Sequence, residues 1–148
     1  MYLLDTCVFS EFAKPEPSPK VLEWARTVKE AEQHLSILVL GELLRGVARM
    51  PDGERRRTLG HWIESLFETH GDRLVPVDAE VMRAWAELCA QAEASGKTQS
   101  AMDSLIAAQA ISRKLTLVTR NTEDFRFLGV ALLNPWESFG GQQPSDIL

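Results

Sequence analysis

Cysteine, histidine and long apolar runs are all scarce in this chain of 148 residues. The two cysteines, Cys7 and Cys89, have neither metal nor redox spacing, so no disulfide framework is expected and a reducing, cytoplasmic compartment fits best. The three histidines, His34, His61 and His70, lie far apart and form no HExxH pattern, which excludes the usual zinc centre. No stretch approaches the roughly 18–20 apolar residues of a membrane span. Asp5 interrupts the first apolar run, so no secretory leader is expected there. Positive charge is also short, with 16 Lys and Arg against 21 Asp and Glu, a net −5. That balance excludes a protein that coats nucleic acid by bulk charge, but not one that meets it through a local basic surface.

What is present is the mixture of a soluble globular protein, 45% hydrophobic and 25% charged, at the size of one ordinary domain. Tyr2-Leu3-Leu4 reads as a short buried strand ending in Asp5-Thr6. Pro15, Pro17 and Pro19 break the helix begun near Ser10, and Val21, Leu22, Trp24, Ala25 and Val28 mark the next helix. Strands are expected at His34–Leu38, Leu74–Val77, Leu115–Thr119 and Val130–Leu133. Helices are expected over 39–50, around the Leu59, Trp62, Ile63, Leu66 and Phe67 face, after an Asp78 cap, and over 103–112. Strands alternating with helices predict an α/β domain, a mainly parallel sheet flanked by helices. The domain is expected to run over residues 1–139, with 140–148 a loose tail.

In an open parallel sheet, ligands bind beyond the carboxyl ends of the strands. Asp5 directly follows the first strand, Glu42 lies in the helix after the second, Asp103 opens a helix of small apolar residues, and Asp124 follows the Leu115–Thr119 strand. Singly, such acids are ordinarily caps or solvated charges. Together they repel one another unless a cation neutralises them, and oxygen ligands without His or Cys suit Mg²⁺ or Mn²⁺. Such ions serve phosphodiester hydrolysis by activating water and stabilising the leaving oxygen. Thr6, Thr119 and Asn121 would supply neutral hydrogen-bonding groups beside the acids. Two other readings stay open on the residues alone. One is a phosphoryl-transfer enzyme with Asp5 as nucleophile, although Cys7 stands where the second Asp of the usual Asp-x-Asp start belongs. The other is a binding domain whose acids are only caps.

Between Leu44 and Arg57, five arginines (Arg45, Arg49, Arg55, Arg56, Arg57) stand against Asp52 and Glu54, so this segment carries +3 and the rest −8. It reads either as a solvated helix face with internal ion pairs or as a phosphate-positioning surface, with Arg120 a further candidate near the acids. Trp62 and Trp85 fall on apolar helical faces, where packing accounts for them.

Four segments in order, LLDT with VFSE, LSILVLGELLRGV, MDSLIAAQAI and LTLVTRNTEDF, resemble the PIN-domain ribonucleases. The likeness is to the VapC toxins of bacterial type II toxin–antitoxin systems and the related FitB branch, from Met1 to about Trp136. It implies endonucleolytic RNA cleavage dependent on Mg²⁺ or Mn²⁺. By the same resemblance Asp5 and Asp103 are the direct metal ligands, Glu42 and Asp124 complete the cluster through water, and Asn121 is the polar residue of the last segment. A homodimer and a cognate VapB-like antitoxin follow too, with Arg45, Arg49 and Arg120 as contacts for RNA or antitoxin. One departure is Cys7, where many members carry Asn.

Overall fold

The computed structural model describes residues 1–137, so the expected tail at 140–148 lies outside the described residues. Five parallel strands form one sheet: β1 (Tyr2–Leu4), β2 (Gln33–Ser36), β3 (Leu74–Val75), β4 (Thr116–Val118) and β5 (Leu132–Leu133), in the order β3-β2-β1-β4-β5. The central strand buries Leu3 and Leu4 completely or nearly so, flanked by buried Leu35 on one side and Leu117 and Val118 on the other. Apolar residues on both faces are what a covered parallel sheet demands.

Among the described residues seven α-helices flank it: α1 (Thr6–Phe12), α2 (Pro19–Thr27), α3 (Ile37–Ala48), α4 (Glu54–His70), α5 (Ala79–Ala94), α6 (Ala101–Ser112) and α7 (Thr122–Phe125). α3 packs against α1 and α4, whereas α5 packs along α6, whose Ile106, Ala107, Ala108 and Ala110 are buried. Small residues there let the two helices approach closely. Trp62 and Trp85 pack against the core as expected, and the Trp85 indole N–H donates to Ser104 Oγ at 2.9 Å.

Several boundaries differ from the sequence expectation, each for a local reason. Ile37 and Leu38 are helical rather than strand, because Ser36 Oγ accepts from the N–H groups of Leu38 and Val39 and starts α3 early. The third strand ends at Val75, since Pro76 cannot continue a hydrogen-bonded ladder. Asp103 does not open its helix: Ser100 is the cap, placing Asp103 third in α6. The expected Val130–Leu133 strand shortens to Leu132–Leu133. Asp78 does cap α5, accepting from Val81 N–H at 3.1 Å, and α5 ends before Gly96, whose φ of +68° suits glycine.

Candidate active site at the carboxyl edge of the sheet

The strand order reverses direction at β1, so the gap between β1 and β4 is where a parallel sheet opens to a ligand. Asp5 leaves β1 at that gap and Thr119 leaves β4 beside it. Asp5 N–H donates to Val118 O at 3.0 Å, holding the two chain ends together.

Asp5 is 7% exposed, yet its carboxylate is closely engaged. Oδ1 accepts from the Thr6 N–H at 2.7 Å, the capping bond that starts α1. Oδ2 accepts from the fully buried Thr119 hydroxyl at 2.7 Å and from the Cys7 thiol at 3.5 Å. Burial pushes this carboxyl above the usual range, the three hydrogen bonds pull the other way, and the charge of Asp103 adds to the rise. Asp5 is therefore both a helix cap and a carboxylate short of positive charge.

The other acids reach the same edge by different routes. Glu42, half-buried on α3, accepts from the Thr6 hydroxyl, so one threonine ties the first strand's end to the third helix. Asp103, half-buried in the first turn of α6, accepts from Ser100 Oγ at 2.6 Å while its own N–H donates back to that oxygen at 3.0 Å. Asp124 is exposed on α7, and only its backbone is pinned, donating to Asn121 O at 3.1 Å. The structure thus links Asp5, Thr6, Glu42 and Thr119 through hydrogen bonds and brings Asp103 within electrostatic reach. Among the described residues no side-chain bond draws in Asp124.

The β4–α7 turn is fastened to this network from above. Asn121 N–H donates to Thr119 Oγ1 at 3.1 Å, and Arg120 N–H donates to Cys7 Sγ at 3.3 Å. Cys7 also stands 3.6 Å from Thr119 Oγ1. Burial and the neighbouring Asp5 carboxylate push its thiol up to about 11. It is a protonated bridge, in a position where sequence reasoning left its contacts undefined. Ser100 was missed as well, although a serine three residues before an acid at a helix start is a readable capping signal.

Arg45 on α3 and Arg49, the residue that caps its carboxyl end, are exposed, three and seven residues past Glu42 and so on its side of the helix. Arg56 is instead occupied by Asp52 at 2.6 Å. The arginine-rich segment therefore divides between two helices, one part free to meet a ligand and the other stabilising a turn.

A divalent ion such as Mg²⁺ needs hard oxygen donors that no protein cation already occupies. Among the described residues no three His, Cys, Asp or Glu side chains form a ready-made cage. What the site offers is hard carboxylate oxygen at Asp5, Asp103 and Glu42, and none of these three carries a Lys or Arg ion pair among the described residues. That chemistry fits Mg²⁺ or Mn²⁺, which keep several waters and take few protein carboxylates. A thiol held at about 11 is not a competing thiolate ligand.

Known proteins resemble this chain over nearly its whole length. The family model for the PIN domain matches residues 2–130. The VapC ribonuclease Y4jK of Sinorhizobium fredii is 37% identical over 138 residues, covering 93% of this chain and 99% of that protein. Toxin FitB of Neisseria gonorrhoeae is 35% identical, covering 92% and 99%. The crystal structure of FitAcB from Neisseria gonorrhoeae superimposes with a TM-score of 0.88 at 34% identity, covering 93% of this chain and all of that one. No helix among the described residues is long and apolar enough to cross a membrane.

Proposed function

The chain belongs to the PIN-domain family, and from that premise we propose that it is a divalent-metal-dependent endoribonuclease serving as the toxin of a type II toxin–antitoxin pair in the cytoplasm. One observation carries the reading. A buried, unneutralised Asp5 sits at the switch point of a parallel sheet with Asp103 close enough to raise its pKa further.

In this reading Asp5 and Asp103 would hold Mg²⁺ or Mn²⁺ directly, with Glu42 and Asp124 assisting through water. When bound, the ion would supply the charge that activates water and stabilises the leaving oxygen of an RNA phosphodiester. The chain's own groups do the positioning. Thr119 and Cys7 fix the rotamer of Asp5, Thr6 fixes Glu42, and Ser100 fixes Asp103. Asn121 holds the turn above them. Arg45 and Arg49, lying along α3 from Glu42, are the contacts for RNA phosphate or for an acidic segment of a VapB-like antitoxin, and the working unit is a homodimer.

Purified protein should cleave cellular RNA with Mn²⁺ or Mg²⁺ and lose at least about 100-fold in rate in EDTA or as Asp103→Asn. Calorimetry should show a Mn²⁺ site in the wild type that Asp5→Asn abolishes. Undiminished cleavage by either variant, or in EDTA, would rule out the metal mechanism.

A further inference from the structure

We propose that Arg120 and Trp136 form a pre-assembled phosphate clamp that receives the RNA strand at the rim of the acidic cluster. The inference rests on the ribonuclease reading above and adds a binding element to it. Arg120 follows Thr119, the residue whose hydroxyl holds Asp5, and its backbone is fastened to Cys7 on the other side of the site. β4 and β5 run parallel, with Val118 paired to Leu133 and Thr119 N–H donating to Leu133 O at 3.0 Å. Residues 119–121 and 134–136 therefore emerge side by side at the carboxyl edge of the sheet.

Trp136 sits in a hydrogen-bonded turn there. Its backbone N–H donates to Asn134 Oδ1 at 3.1 Å, Asn134 Nδ2 donates to Glu137 Oε1 at 3.0 Å, and the ring is half-buried against the core. The Arg120 guanidinium lies over that ring, its carbon 5.7 Å from the centroid. Arg120 is exposed and has no carboxylate ion pair among the described residues; its charge acts only at longer range, helping to hold Glu11 low. An arginine that is stacked, exposed and without an ion pair among the described residues keeps its N–H fork for a phosphate oxygen and loses little side-chain entropy on binding one. Positive charge here also offsets the repulsion between an RNA backbone and the acids beside it.

A plain structural staple would affect melting temperature and not RNA affinity. The test is fluorescence anisotropy of a labelled single-stranded RNA oligonucleotide in EDTA across a salt series, with KM and kcat for RNA cleavage measured in Mn²⁺. R120A and W136A should each weaken RNA binding about tenfold and raise KM, with kcat at saturation held within about threefold. R120A should also flatten the salt dependence by about one phosphate contact. R120K should rescue partly, because it keeps the charge without the planar stack, and W136F should rescue W136A. Wild-type affinity in a folded R120A, or a loss confined to kcat, would overturn the clamp while leaving the ribonuclease reading intact. A wild type that neither binds nor cuts RNA would overturn both.

Discussion

Cys7 shows how one side chain acquires its role from its neighbours. Its Sγ donates towards Asp5, faces Thr119 and accepts the Arg120 N–H, so it joins the start of α1 to the β4–α7 turn. With its thiol pushed up to about 11, native Cys7 should resist alkylation at neutral pH and gain reactivity only as pH climbs towards that value. Mass-spectrometric labelling of native protein in EDTA checks this, and rapid modification of Cys7 at neutral pH would refute it. Thr119 is the stronger partner of Asp5. Thr119→Val should cost about 1–3 kcal/mol, since a buried carboxylate oxygen loses its shortest donor, and urea unfolding measures the loss. Asp5 was legible in the sequence as a charge at the end of a buried strand. Thr119 was legible as a neutral hydrogen-bonding group near the acids, but its direct bond to Asp5 across 114 residues was not, nor was the contact of the Cys7 thiol two residues on. Spacing along the chain says nothing about which side chain a fold will bring to an oxygen.

Local chemistry set where the elements start and stop. The β2–α3 junction is the clearest example: Ile37 and Leu38 continue an apolar run that reads as strand, but the Ser36 hydroxyl takes the N–H groups of Leu38 and Val39 and turns the chain into a helix. The same hydroxyl donates to Gln109 Oε1 at 2.5 Å, and Gln109 Nε2 donates to the carbonyls of Val75 and Pro76, joining β2, β3 and α6 through one buried amide. Ser36→Ala should therefore cost more than an isolated cap, about 2–3 kcal/mol in denaturant unfolding. A loss below about 0.5 kcal/mol would contradict that network. Ser100 combines the two roles differently, capping α6 while holding the Asp103 carboxylate. Glu11, buried near the end of α1, accepts from Lys14 at 2.6 Å and from the Ser18 N–H at 2.7 Å, and so binds the proline-rich turn to α1. Those bonds hold its carboxyl below the usual range. Its contribution is present above the unfolded carboxylate value and is lost as pH falls through the lower folded one.

At the scale of the whole molecule, the electrostatics of the edge couple stability to the ion. The Asp5 carboxyl is raised, so between its unfolded value and its folded value the native state retains a proton that the unfolded chain has lost. Stability without metal should fall as pH rises across that window, the opposite sign to Glu11. Thermal melts in EDTA should show this decline in wild type relative to Asp5→Asn. A divalent ion should reverse it: at a concentration about 100-fold above its Kd, binding contributes about 2.7 kcal/mol, or roughly 5–10 °C in Tm for a chain of this size. Wild type and Asp5→Asn shifting equally with Mn²⁺ would count against an ion at Asp5.

By itself the sequence determined the α/β class, the alternation that makes the sheet parallel, and the placing of Asp5 just beyond one buried strand and of Thr119 at the end of another. These follow from local rules, because apolar runs, caps and breakers act over a few residues. Only the tertiary structure decided the strand order β3-β2-β1-β4-β5, and with it which strand ends face one another. That order pairs β1 with β4 across more than a hundred residues, sets Thr6 against Glu42, and places Arg120 over Trp136. It also left Asp124 exposed, its side chain unbonded among the described residues, while drawing Cys7 into the centre of the network. Side chains meet because packing a covered sheet buries the most apolar surface in one arrangement, and the polar groups at its edge then pair with whatever that arrangement brings within reach.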